Sequence, residues 1–351
     1  MTISAKVIAD SCQQHLWEGI RPANYHLLTT FELRYPRFIH AELMTHRVFS
    51  RNASSSRAIP IAKLIDEVWT DPAMPVFWGK NQAGMQAAEE LSSVAPGAFD
   101  PLPKDGDPVP MHPNEHYLSP KYLAKEEWLK ARNMAVMSVQ KLMEIGLHKQ
   151  LANRLLEPWS HITVLVTSTD WANWYALRHH PAAQPEMQLL ASTMLAAHRL
   201  SMPRVLAPGQ WHLPYVGDAE PLLLLAELPD LFTNFKSDGT SEPVDPLLFP
   251  KISSGRCARV SYLKHDGTEP DPEDDLGLFG RLMGGVPKHA SPTEHQARVP
   301  ISGIDTLVLP AHDVNVDAGI LDHLRSNLYG WVQHRKLVPG ENTTSYEEFD
   351  R

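Results

Sequence analysis

The stretch THRVFSRNASSSR, residues 45–57, gathers His46, three arginines (Arg47, Arg51, Arg57) and the serine run Ser54, Ser55 and Ser56 into thirteen positions. Guanidinium forks bind phosphate or carboxylate in two-point fashion, and closely spaced hydroxyls and backbone N–H groups complete an anion cradle. A small phosphorylated ligand suits this chemistry. A solvated, serine-rich loop with arginines paired to nearby acids would have the same composition, so residues elsewhere must decide. His289 and His295 bracket Ser291 and Glu294 in HASPTEH. With no cysteine or carboxylate at ligand spacing, no metal site is expected there. Cys12 and Cys257 are the only cysteines, which excludes a disulfide framework and fits a reducing compartment.

The elements that must position these groups follow from the chain's patterning. At 351 residues and 43% hydrophobic composition it can fill a sizeable core. Formal net charge is −9, from 41 acidic against 32 basic side chains, so an anion site must be a local cluster and long nucleic acid is disfavoured. The N-terminus lacks a basic segment leading into an apolar run, and no stretch approaches a membrane span. A cytoplasmic location is expected. Residues 26–44 read as a strand turning helical after Pro36, which places THRVFSRNASSSR at or just beyond a helix end. Residues 71–120, rich in Pro, Gly and Asp, read as an excursion with one short helix near MQAAEELSSV. From Pro120 to about Leu155 apolar residues recur at three and four, with Ser119 as the cap. EPWSHITVLVTST reads as a strand. DWANWYALR and PEMQLLASTMLAAHRL read as helices, with Trp171, Trp174 and Tyr175 packed in the core and His179 and His180 in solvent. LLLLAELPDLF and LGLFGRLMGG read as helices, KISSGRCARVSYL as a loop feeding a strand or helix, and HASPTEHQA as a turn entering another helix. Ser291 and Glu294 have the spacing of a capping box for it. Residues 296–325 read as a second insertion.

THRVFSRNASSSR resembles the signature of the flavin-dependent thymidylate synthases, with His46, Arg47, Ser50, Asn52, Ser55 and Arg57 on its spacing. LLEPWSHITVLVTSTDWANWYALRHHPAAQPEMQ resembles a second family segment, matching at Arg154, Asn173, Arg178, Ala183, Gln184 and Glu186. SGRCARVSY at 254–262 and HASPTEH at 289–295 resemble segments that in the family precede the first one. Here they follow it, so the order is circularly permuted. Thr45, Ala53, Ser56, Thr167 and Thr169 depart from the family pattern. GWVQHRK at 330–336 echoes the first motif but lacks its downstream serine and arginine, and ranks below it.

The resemblance implies an α+β fold with a central mixed sheet and long helices, in one domain over 1–351 with insertions at 71–120 and 296–325. It implies reductive methylation of dUMP to dTMP, with methylenetetrahydrofolate as carbon donor and FAD reduced by NADPH, in a homotetramer whose sites draw on several subunits. FAD would fall to His46, Arg47, Asn173, Ser261, His289, Ser291 and Glu294. The nucleotide would fall to Ser55, Ser56, Arg57, Arg154, Glu42 and Arg178. Arg178 would act on the ring, with Ser55 beside it in the catalytic set. Neither cysteine is needed as a nucleophile on this route. Action on dCMP, transfer of a hydroxymethyl group, and an inactive nucleotide-binding homologue are the alternatives that Thr45 and Ala53 leave open.

Overall fold

The computed structural model describes residues 3–14, 27–94, 119–217, 220, 245–260, 271–302, 304–305, 324 and 326–341. Five strands form the main sheet: β1 (Ser4–Gln13), β2 (Leu28–Pro36), β3 (Ser50–Ala53), β4 (His161–Ser168) and β5 (Arg204–Leu206), in the order β3-β4-β2-β1-β5. All neighbours are antiparallel except β1 and β5, which makes the sheet mixed. A short helix α1 (His40–Leu43) separates β2 from β3. β4 lies inside the sheet with β2 on one edge and β3 on the other, and its β-branched run HITVLVTS suits a strand buried on both faces.

Alternation decides what each face carries. Phe31, Leu33 and Tyr35 of β2 and Ile162, Val164 and Val166 of β4 point to one side, against Trp171 and two helices, α5 (Ala172–Arg178) and α6 (Pro185–Leu200). Trp174, Met187, Leu190 and Met194 fill that layer. Pro185 starts α6, and Gln184 caps it by accepting from the Met187 N–H at 3.1 Å. On the opposite face, Leu165 packs on Cys257 and Val260, the end of the helix α7 (Leu248–Ala258). A second core forms where α2 (Ile61–Thr70) meets α3 (Pro120–Glu144), α4 (Lys149–Ala152) and the 3-10 segment Asn153–Trp159. Ile61, Leu64 and Val68 supply the α2 stripe.

The structure revises several expectations. Ser119 does cap α3, accepting from the Tyr122 N–H, but the helix stops at Glu144. Gly146, at φ +85°, takes the left-handed turn that ends it. The stretch near MQAAEELSSV is not helical: Gly79 bridges Glu90, with the Lys80 N–H donating to the Glu89 carbonyl and the Leu91 N–H to that of Trp78. HASPTEHQA leads into a strand, not a helix. After the 3-10 turn Ser291–Glu294, β7 (Ala297–Arg298) pairs with both β6 (Trp211–His212) and β8 (Val332–Gln333). Ser291 therefore caps no helix there. KISSGRCA is helical, and Gly255 permits it: a Cβ there would lie 2.3 Å from the Asp275 carbonyl oxygen of α8 (Pro272–Gly284). LGLFGRLMGG lies largely within α8, LLLLAELPDLF falls outside the described residues, and the N-terminal strand β1 had no counterpart in the sequence reading. Trp171 and Trp174 are buried, as expected.

The face of the sheet toward β6 and β7 is polar and closed. Thr30 Oγ1 bonds Thr167 Oγ1 at 2.7 Å and His212 Nε2 at 2.9 Å, while His212 Nδ1 meets Ser11 Oγ and His295 Nδ1 meets Thr167 Oγ1, both at 2.8 Å. Burial pushes His212 and His295 down to about 3, and His161 and His334 down to about 4. Unfolding exposes each ring to protonation near pH 6.5, whereas the folded chain resists it until about pH 3 to 4. These rings cost nothing above about pH 6.5; as the pH falls toward 4, each removes roughly 1.4 kcal/mol of stability per pH unit. The transition temperature should therefore drop steeply between about pH 6.5 and 5. Thermal unfolding by circular dichroism checks this, and a flat profile across that window would contradict the buried neutral histidines.

Candidate functional site

β3 carries the motif from one cluster of chemistry to another. At its C-terminal end, the Ser54 N–H donates to the Thr163 carbonyl at 2.9 Å and Ser54 Oγ accepts from the Thr163 N–H at 3.1 Å, which prolongs the pairing with β4. The chain then turns. Asn52, Ser55, Arg57 and Ala58, with His148 and Gln150, face a cavity of about 410 Å³. The rest of its lining comes from much later in the sequence: Leu282, His289, Ser291 and Pro292. Asn52 also holds the two parts together, its Nδ2 donating to the Cys257 carbonyl at 2.7 Å.

The serine run is pinned from behind. Asn153 Nδ2 donates to the Ser56 and Ile59 carbonyls at 2.7 and 3.0 Å, and Lys149 Nζ to the Ala58 carbonyl at 3.0 Å. Ser56 is buried, and its hydroxyl donates to Glu157 Oε1 at 2.7 Å. Arg154 pairs with the same carboxylate at 3.2 Å. Ser56 and Arg154 thus meet each other's partner outside the cavity lining, while Ser55 and Arg57 face into it.

At the other end of β3 stands Arg178, the last residue of α5. Its Nε donates to His46 Nε2 at 3.0 Å, Nη2 to Thr45 Oγ1 at 3.3 Å, and Nη1 lies 3.5 Å from Glu42 Oε2. His46 stacks on Phe49 and meets Trp174 edge-on, with ring centroids 5.6 and 4.7 Å apart. Accepting at Nε2 leaves the His46 proton on Nδ1. Burial, then the Arg178 and Arg51 charges, lower its pKa and favour that neutral ring. Arg51 braces the turn by donating to the Met44 and His46 carbonyls at 2.7 and 3.4 Å. Arg47 and Asn173 are exposed, and Ser261 lies outside the described residues.

Glu294 bonds Arg335 of the GWVQHRK segment, and burial raises its carboxyl pKa. Gln333 Nε2 donates to the Glu294 carbonyl at 3.0 Å and to Ser50 Oγ at 3.3 Å. Arg335 of the late His-Arg pair therefore braces the 289–295 segment from behind, outside the cavity lining. The pair's composition echoed the first motif, but only the fold reveals that role. His148 and Gln150 had no signal of their own beyond the turn at Gly146.

Residues 23–204, more than half of the chain, match the family described as thymidylate synthase complementing protein. The chain belongs to this family. The match spans THRVFSRNASSSR and the Arg154–Glu186 segment and bears out the resemblance read from them; the segments at 254–260 and 289–295 lie beyond it yet pack against β3. Two crystal structures of the UMP/dUMP methylase PolB from Streptomyces cacaoi are distantly similar. With 5-Br UMP bound, that protein is 19% identical, with 56% of this chain and 88% of that chain covered and a TM-score of 0.37. With 5-Br dUMP bound, identity is 17%, coverage 56% and 90%, and the TM-score 0.35. No curated protein matches the chain. Among the described residues no helix is long and apolar enough to cross a membrane.

Neither cysteine is placed as a nucleophile. Both are buried, and burial raises both thiol pKa values, with the Asp10 charge adding to the effect at Cys12. Cys257 is enclosed beside Ser253 and Gln296. The folded protein should resist iodoacetamide at neutral pH, and replacing both cysteines by Ala should leave turnover within about tenfold, or ~1.4 kcal/mol of barrier. Mass spectrometry of the alkylated protein and steady-state rates check the two halves; a folded but inactive double variant would point to a thiolate mechanism.

Proposed function

We propose that the protein binds dUMP and methylates the pyrimidine at C5 to give dTMP. The observation that carries the reading is the cavity at the end of β3, where Ser55 and Arg57 of the family motif share a space with His289 and Ser291. Its 410 Å³ lies toward the lower end of ligand-pocket volumes. Arg57 supplies a permanent positive fork and Ser55 a hydroxyl donor, the pair a 5′-phosphate requires. Arg178 is oriented by His46, Thr45 and Glu42 rather than free to rotate. A fixed guanidinium beside the ring stabilises the charge that develops when C5 turns nucleophilic.

The carbon donor in this proposal is methylenetetrahydrofolate. A methylene group must gain a hydride to end as methyl, and FAD reduced by NADPH supplies that chemistry when bound. The residues present fit such a group: Asn52, His289 and Ser291 offer amide, imidazole and hydroxyl along one cavity, and the neutral His46 keeps an Nδ1 donor. Arg57 follows β3, whereas Arg178, on α5, meets Thr45 and His46 at the other end of that strand. The proposal therefore extends to a homotetramer in which one copy's Arg178 serves the nucleotide held by another's Arg57.

The two arginines should fail in different ways. Arg57→Ala should weaken dUMP binding while leaving deoxyuridine binding nearly unchanged, since the phosphate contact is what disappears. Arg178→Ala should keep its flavin yet lower the single-turnover rate by roughly two orders of magnitude or more. Calorimetry, rapid-quench kinetics with mass analysis of the product, and flavin absorbance as the control for folding supply the readings. An Arg57→Ala protein that binds dUMP like the parent would overturn the phosphate assignment.

A further inference from the structure

The cavity is lined by two residues outside every motif read from the sequence, His148 and Gln150. His148 is the N-cap of α4 and Gln150 its second residue, and both share the cavity lining with Arg57. Lys149, between them, is tied to the Ala58 carbonyl at 3.0 Å, and Asn153 to the Ser56 carbonyl at 2.7 Å. The turn and the serine-rich stretch thus form one braced unit. His148, exposed to solvent, caps α4: its Nδ1 accepts the Gln150 N–H at 3.2 Å. An imidazole that accepts at Nδ1 carries its proton on Nε2. That leaves an N–H donor on a ring that lines the same cavity as Arg57.

We propose that His148 is a phosphate-binding residue, a third donor that joins Arg57 and Ser55 on the monoester of the nucleotide. The inference rests on the proposed function and deepens it by adding a recognition group. Three donors of different shape meet the three terminal oxygens of a phosphate monoester: a planar fork, a hydroxyl and a ring N–H. Gln150 serves as positioning residue through its backbone, because its N–H sets the His148 ring.

The test must remove the donor without dismantling the turn. His148→Asp keeps an acceptor for the Gln150 N–H, since Asp caps such turns well, while placing a negative charge where the phosphate would sit. His148→Asn keeps the cap without the charge. Calorimetry with FAD-supplied protein would measure dUMP and deoxyuridine binding for the parent and both variants, with thermal unfolding to show that the turn survives. The expected result is at least about tenfold weaker dUMP binding for His148→Asp and a smaller loss for His148→Asn. Deoxyuridine affinity should stay within about twofold for both. Equal losses for nucleotide and nucleoside would overturn the phosphate role, as would dUMP affinity unchanged in His148→Asp. If dUMP binding depends on Arg57 but not on His148, this inference alone falls. If the parent does not bind dUMP at all, the proposed function falls with it.

Discussion

The antiparallel pairing of β3 with β4 governs where every group of chemical interest comes to lie. Ser50 opposes Thr167, Asn52 opposes Leu165, and Ala53 opposes Val164; the bonds between Ser54 and Thr163 carry the ladder one step further. β4 is held on its other edge by eight consecutive pairs with β2, from Thr29–Ser168 to Pro36–His161. A slip of one residue would turn every β3 side chain to the other face. Asn52 would then lose the Cys257 carbonyl, and Ser50 would lose Gln333. The short strand stays in register because its long neighbour is pinned by the aromatic and aliphatic layer under α5 and α6.

The opposite face of the sheet uses hydrogen bonds where the first uses apolar contact. Thr30 and Thr167 stand at paired positions and hand their hydroxyls to His212 and His295. Buried polar groups rigidify what they join when they find partners; His212 is bonded at both ring nitrogens, whereas His295 is bonded at Nδ1 and leaves a buried Nε2 without one. Here they join the main sheet to the segment Ser291–Glu294 and to the small β6-β7-β8 sheet. Arg256 and Arg259, both bonded to the fully buried Asp275, fix α7 on α8 in the same manner.

Local chemistry was the most legible part of the sequence. Arg57, Ser55 and His289 stood out by type and spacing, and the fold brings these three together with Ser291. The long helix was legible from its periodicity and from Ser119, and the core role of Trp174 from its setting. What escaped was settled by partners distant in sequence. Ser253, Ser254 and Gly255 are poor helix formers, yet α7 forms because Gly255 lets the Asp275 backbone approach. β1 has little alternation and is a strand because β2 and β5 flank it. The GWVQHRK segment gained its meaning only through Glu294, a contact that no local pattern encodes.

The cavity is lined by two parts of the chain, Asn52 to Gln150 and Leu282 to Pro292, and that has a consequence for how the protein comes into being. During synthesis, the main sheet is complete once β5 has emerged, because all five strands lie between Ser4 and Leu206. The wall containing His289 and Ser291 is made later. A nascent chain can therefore settle its central layer while Arg57 and Ser55 still face water, and the pocket closes only when the C-terminal third docks. The complete cavity is thereby reserved for finished molecules, and a ribosome stalled between β5 and α8 would carry the sheet strands without it.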